Sequence, residues 1–337
     1  MTPNLFDFAT SELSQDAFLC WLLSWARPAH KETHPSLHAV ARALLDDCYR
    51  RAGATAPEHL SSLEIRRQDG GIDILCIVNA EWAILIEDKA GTQQHSGQLA
   101  RYQQHVIDNL GFPVERIIPV YLQSGDQSDY REVGQQGFHI ITRADLLRLL
   151  ESDSGLRARE SSDIFRDFSA RMRRIEDEVQ GYRHLPLDTW NAAWHPWKGF
   201  YTALQHQLRD GLWNYVANPS GGFLGFWWHF SRIDGGEIYL QLEQDKFCFK
   251  VYVEDAERRR ELRQHWHERI LEACRERGLG ARRPDRFGHG QYMTVAILDQ
   301  EYRCTNLDGA LDMQATLQLL DRTMSVIDDC LQAETVA

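Results

Sequence analysis

The chain has 337 residues and a mass of 39.0 kDa, about twice a common domain size, which sets the expectation of two domains or one enlarged one. Hydrophobic residues make up 43% and charged residues 26%, ordinary globular usage that excludes a disordered, fibrous or collagen-like chain. Acidic residues outnumber basic ones 49 to 37, and the net charge of -12 argues against a protein that coats nucleic acid through a global positive field, while leaving room for local basic clusters.

No apolar run approaches the roughly 18–20 residues that span a bilayer. The most apolar early stretch, residues 18–23, follows Asp7, Glu12 and Asp16 and lacks a basic leader, so no signal peptide, no membrane contact and a cytoplasmic location are expected. The seven cysteines are an odd number, far apart, with no C-x-x-C pair, which reads as reduced thiols rather than a disulfide framework or structural zinc.

In chain order, helical spacing over residues 5–25, with Ser11 as N-cap, predicts a first helix, and residues 37–51 predict a second that stops near Gly53. The period then changes to short Ile/Leu/Val-rich runs at 62–67, 72–78 and 82–89, separated by turn residues, which predicts a β-meander. A helix over 95–110, strands at 117–122 and 138–141, and a helix from about 144 complete a mixed α/β core. An Arg-rich, helical stretch at 151–182 leads to a Pro-containing segment, and the domain boundary is placed there, giving domains 1–185 and 186–337. Seven of the ten tryptophans lie between Trp190 and Trp266, and strands at 225–232, 237–243 and 247–253, a helix at 255–277, a strand at 292–298 and a helix at 310–332 predict a C-terminal α+β domain.

Residues 70–90, G-G-I-D-I-L-C-I-V-N-A-E-W-A-I-L-I-E-D-K-A, carry the chemistry. If 72–78 and 82–89 form a hairpin around residues 79–81, Asp73 sits opposite Glu87, Lys89 shares their face by the period-2 alternation, and Asp88 points away. Two like charges directly opposite destabilise a sheet unless a cation lies between them, and Mg²⁺ suits one or two carboxylates plus waters and phosphate oxygens. Lys89 is then positioned to orient or help deprotonate an attacking water and to neutralise developing charge. The bland alternative is a solvated hairpin face whose charges happen to alternate. Lys89 is one of only five lysines among 37 basic residues, which weighs slightly against it. Gln98 and Tyr102, four apart on the next helix, share a face.

Asp73, Glu87-Asp88-Lys89 and the trailing Q-x-x-x-Y of Gln98 and Tyr102 resemble the PD-(D/E)XK nuclease superfamily, in particular its members with a RecB-like Q-x-x-x-Y helix. The opening E-L-S-Q-D-A-F-L-C-W-L-L also resembles a bacterial branch whose first helix carries a Glu, here Glu12, before an apolar run. The resemblance covers roughly residues 4–145. It implies a restriction-endonuclease-like core with a central mixed sheet flanked by helices. It also implies Asp73 and Glu87 as ligands of Mg²⁺ or Mn²⁺, Lys89 as the catalytic lysine, and Glu12, Gln98 and Tyr102 as further active-site residues. Gly71-Ile72 stands where the motif's name would suggest a proline.

Other signals carry bland alternatives. His30, His34 and His38 have metal-like spacing, but Pro35 interrupts a helix there, which favours a loop. Residues 258–286 hold ten Arg against five acidic residues, and 157–174 hold six against three; each reads either as a phosphate-contacting stripe or as a solvated, self-paired helix. The tryptophans read as core packing ahead of base stacking. The expectation is therefore a divalent-metal-dependent nuclease acting on nucleic acid, foremost a DNA endonuclease, in restriction, repair or phage defence, with the C-terminal domain serving substrate, homodimer or protein-partner recognition. The alternatives are a noncatalytic nuclease-like scaffold that binds a protein, and an RNase using the same site.

Overall fold

The computed structural model describes residues 3–91, 97–218 and 221–336, and the chain divides into two compact units, Met1–Asp177 and Glu178–Ala337. The start of the helix expected at 95 and part of the loop expected at 219–226 lie outside the described residues.

In the first unit, a single 3-10 turn at Leu5–Asp7 precedes α1 (Glu12–Ser24), so the apolar stretch over 5–25 is two elements rather than one. Ser11 ends the break: its Oγ accepts the Ser14 N–H, a cap contributing about 1 kcal/mol. Pro35 does not interrupt a helix but opens α2 (Pro35–Arg51), where a missing N–H costs nothing because first-turn N–H groups have no intrahelical acceptor. The rings of His30 and His34 lean on Trp25 at 4.9 and 4.6 Å.

The meander follows as β1 (Leu63–Asp69), β2 (Ile72–Val78) and β3 (Trp82–Lys89), paired antiparallel. The β2–β3 connection, residues 79–81 between paired Val78 and Trp82, places Asn79 and Ala80 at φ 53° and 56°, and the Glu81 N–H closes the turn on Val78 O at 3.0 Å. Asn79 holds this turn by accepting the Ser61 and Ser62 N–H groups at 2.8 and 3.1 Å.

The chain then runs through α3 (Gln98–Leu110), β4 (Ile117–Gln123), α4 (Arg131–Gln135), β5 (His139–Thr142), α5 (Arg143–Leu150), α6 (Asp153–Ser161) and α7 (Asp163–Gln180). Strand β4 lies parallel to β3 and β5 parallel to β4, so the sheet has the order β1-β2-β3-β4-β5 and is mixed. Its middle strands are buried on both faces, which is why they read as continuous apolar runs. One face packs Ile74, Ile84 and Val120 under α1 and α2; the other packs Leu75, Leu85 and Tyr121 under α3. This is the restriction-endonuclease-like arrangement expected from the motif order. The division between units falls inside α7, because that helix runs unbroken past the last contacts of the first core and before the Pro-containing segment.

The second unit contains α8 (His195–Gln207), β6 (Leu212–Val216), β7 (Phe223–Ile233), β8 (Gly236–Glu243), β9 (Lys246–Val253), α9 (Arg259–Glu276), β10 (Ala281–Arg282), β11 (Tyr292–Leu298) and α10 (Met313–Val336). Its antiparallel sheet has the order β10-β11-β9-β8-β7-β6. Trp190, Trp197, Trp213, Trp228 and Trp266 are buried in its core, so most of the tryptophan enrichment is packing. Among the described residues no helix is long and apolar enough to cross a membrane.

Candidate active site

The site begins at a break in the β1–β2 ladder. Arg67 pairs with Ile74 and Asp69 with Ile72, while between them Gln68 turns to φ 57°, a left-handed conformation that costs a non-glycine residue about 1 kcal/mol or more. That turn delivers its amide Nε2 to Asp73 Oδ1 at 3.0 Å. Gly70 and Gly71 close the turn at φ 62° and 88°. A Cβ on Gly70 would stand 2.4 Å from the His105 ring, and one on Gly71 3.3 Å from Tyr102, so glycine is what lets α3 pack here.

The hairpin keeps the expected register from Val78 with Trp82 to Ile74 with Ile86, and the ladder stops one pair short of Asp73 opposite Glu87. Regular pairing ends at Ile74 with Ile86, and beyond it the Asp73 carboxylate replaces a backbone acceptor: the Asp88 N–H donates to Asp73 Oδ2 at 2.9 Å. The side chain stitches the strands where the backbones part, and brings its charge to the end of β3.

On the α3 face of that end, Glu87 is fully buried, with Oε1 accepting from the Lys89 ammonium and Oε2, among the described residues, without a hydrogen-bond partner. Burial, reinforced by the nearby Asp73 charge and opposed by Lys89, pushes the Glu87 carboxyl up to about 7. Burial works against the Lys89 charge, yet the bond to Glu87 and the fields of Asp73 and Glu12 outweigh it and hold its pKa above the ordinary lysine value. Glu12, in the first turn of α1, accepts the Ala90 N–H at 3.1 Å and so fixes the residue that follows Lys89. Gln98 donates through Nε2 to the Tyr102 hydroxyl at 2.6 Å. Tyr102 is buried, and that burial, with the charges of Glu87 and Asp73, raises its pKa. The structure therefore gathers Asp73, Glu87 and Lys89 at one strand end, with Glu12 bonded beside them and Tyr102 within their field; Gln98 joins through Tyr102.

The opposite face of the same strand end holds residues that motif reading left out. Asp88 Oδ1 accepts from Gln15 Nε2 at 2.5 Å, and Gln15 Oε1 accepts from the Ser124 hydroxyl at 2.8 Å. Asp16 and Asp88 are both buried, and each has one oxygen without an ordinary donor. Burial, with Asp73 adding repulsion for both, raises Asp16 to about 6 and Asp88 well above a usual carboxyl, the behaviour of two carboxyls close enough to share a proton. The available signal was spacing: Gln15 and Asp16 lie three and four residues after Glu12, on its helix face.

Among the described residues, no three His, Cys, Asp or Glu side chains form a metal cage. The donor set at Asp73 and Glu87 is instead two carboxylates, one with a buried unpartnered oxygen, which suits a hard divalent cation that keeps waters and takes substrate oxygens, and does not suit a closed zinc site.

Residues 3–166 match the family model of the PD-(D/E)XK nuclease superfamily. Comparison with curated proteins and with solved structures found no match. The matched segment contains the whole mixed sheet and every candidate residue above, and over those residues the chain is similar to the PD-(D/E)XK nuclease superfamily.

Proposed function

We propose that the protein is a divalent-metal-dependent nuclease that hydrolyses phosphodiester bonds, foremost in DNA and as an endonuclease. The observation that carries this reading is the convergence of Asp73, Glu87 and Lys89 at the parted end of β2 and β3, with Glu87 Oε2 buried and, among the described residues, unpartnered. Asp73 and Glu87 would hold Mg²⁺ or Mn²⁺. When bound, such a cation supplies Lewis-acid polarisation of the scissile phosphate and lowers the pKa of water.

The chain's own residues do the rest. Hydrolysis adds a water oxygen to phosphorus, breaks one P–O ester bond and puts a proton on the departing hydroxyl. Lys89, held charged, has three donors and no acceptor, so it orients the attacking oxygen and stabilises negative charge rather than removing a proton. Glu12 keeps Lys89 aimed by anchoring Ala90, and Gln68 keeps Asp73 aimed by its amide. Tyr102 and Gln98 wall the α3 side. Restriction, repair or phage defence in the cytoplasm is the setting such an activity fits, by analogy with the superfamily.

The test is cleavage of plasmid DNA, single-stranded DNA and RNA with Mg²⁺ or Mn²⁺, by the parent, Glu87→Gln and Lys89→Ala, with an EDTA control. DNA cutting that needs metal and both residues is expected. RNA cutting with the same dependence would change the substrate, and a parent that cuts nothing would leave a protein-binding scaffold as the better account.

A further inference from the structure

The two arginine-rich stretches behave differently. In the first, Arg166, Arg173 and Arg174 are matched to Asp163, Glu151 and Asp7, so that stretch serves largely as internal pairing. In the second, Arg258 and Arg277 are likewise matched, to Asp234 and Asp329. The loop that follows, residues 283–291 between β10 and β11, is not: Arg283 and Arg286 are exposed and, among the described residues, neither has a carboxylate partner. The one acidic residue of the loop, Asp285, pairs with Arg282, which also reaches Asp299.

What lies beneath this loop is unusual. Arg263 of α9 is 3% exposed and, among the described residues, no carboxylate pairs with it; its guanidinium is satisfied by backbone carbonyls, bonding Thr294 O at 3.1 and 2.6 Å, Arg286 O at 3.2 Å, and Gly288 O. Burial, with Arg283 adding repulsion, lowers its pKa to about 10, so it still carries its charge at neutral pH. Arg263 and Arg283 each lie 3.9 Å from the centre of the Phe287 ring, which braces both cations. The loop is thus fixed from below by a buried cation and presents further cations above it. Burying an unanswered charge costs several kcal/mol, and it places a positive field under the loop that an anion at the surface would offset.

At the loop's end, where β11 begins, Tyr292 is 65% exposed and its ring lies 5.0 Å from Tyr252, an exposed aromatic platform. We infer that this loop contacts the phosphate backbone of nucleic acid through Arg283 and Arg286 while Tyr292 stacks an unpaired base. Arginine forks match phosphate oxygens, and base–aromatic stacking is tolerant of sequence, so the surface fits a single-stranded stretch without sequence preference. The choice of nucleic acid as partner rests on the nuclease reading of the first unit; the surface itself is a second contact, on different residues.

The test is fluorescence anisotropy of the full chain with labelled 20-nucleotide single-stranded DNA and the matching duplex, in EDTA, across a salt series, with metal-dependent cleavage measured separately. In Arg283→Ala/Arg286→Ala, single-strand binding is expected to weaken at least about tenfold, and the slope of log affinity against log salt to fall by roughly 1.4. Tyr292→Ala is expected to weaken single-strand binding about tenfold and duplex binding little. Arg275→Ala removes an exposed charge elsewhere on the same unit and is expected to bind as the parent does. Circular dichroism melts verify that each variant folds. Unchanged affinity and salt slope in the double variant, a loss matched by Arg275→Ala, or a parent that binds no nucleic acid would overturn the inference. Loss of metal-dependent cleavage in Glu87→Gln with binding intact would uphold the nuclease reading independently of this outcome.

Discussion

Two faces of one strand end handle buried acid in opposite ways. On the α3 face, Glu87 has an ammonium on one oxygen and, among the described residues, no partner on the other. On the α1 face, Asp88 is met by the Gln15 amide and lies beside a second carboxyl, Asp16, and burial raises the pKa of both. The first arrangement is an ion pair that leaves one carboxyl oxygen open, the place proposed above for a cation; the second meets its acid with an amide and a neighbouring carboxyl. Adjacent residues of one strand thus divide into the face proposed for the chemistry and a face that fixes α1, and with it Glu12, against the sheet. Motif letters alone do not convey that division, because both faces are written in Asp and Glu.

If the comparison is right, substitutions on the two faces produce effects of different kind. The largest are on the α3 face: Lys89→Ala and Glu87→Gln are expected to lower cleavage at least about a thousandfold with little change in the unfolding midpoint, checked by single-turnover rates beside thermal melts. Residual cleavage within tenfold of the parent in either variant would remove that face from the chemistry.

Next comes pH. The Glu87 carboxyl is raised from 4.5 to about 7, so between those values the folded state keeps a proton that the unfolded state has released. Metal-free stability is therefore expected to be fully present below about 4.5 and to decline as pH rises through 7, and Mn²⁺ affinity to rise about tenfold per pH unit below 7, because binding displaces that proton. Melting curves at pH 5–8 with and without Mn²⁺, for the parent and Glu87→Gln, check the sign; a parent curve that runs parallel to that of Glu87→Gln would contradict it.

The α1 face should report through stability instead. Gln15→Leu leaves a buried carboxyl and the Ser124 hydroxyl without their partner, at a cost of about 2 kcal/mol, or roughly 4–8 °C in Tm. Asp16→Asn removes one of two repelling buried acids, and is expected to raise Tm by about 2–4 °C above pH 6, with a smaller gain at pH 4, where the native dyad is already protonated. A fall in Tm at pH 8 would mean that repulsion between the two carboxyls does not weaken the fold.

Much of the first unit was legible because its strands are short apolar runs bounded by Gly and Asn, and its helices carry their own start signals, as at Ser11. Pro35 misled because the same residue that breaks a helix interior is at home in its first turn. The β2–β3 register was legible as far as Ile74 with Ile86, but the end of the ladder before Asp73 and Glu87 was not: the positive φ of Gln68 and the use of the Asp73 side chain as a strand acceptor leave no mark in an alternation pattern. Gln15 and Asp88 stand 73 residues apart, so their bond exists only once α1 has packed on the sheet. In the second unit α8 and β6 were missed because aromatic residues crowd both faces there and blur the period. The arginine count over 258–286 was legible, but the burial of Arg263 beneath an exposed pair was not.

The most direct test of the central claim is calorimetric titration of the parent, Asp73→Asn and Glu87→Gln with Mn²⁺ at pH 8. The account predicts binding by the parent that either substitution weakens at least about tenfold, with Asp88→Asn retaining the ability to bind. Mn²⁺ binding that is equal in the parent and in both substituted proteins, or a parent that binds none, would contradict it.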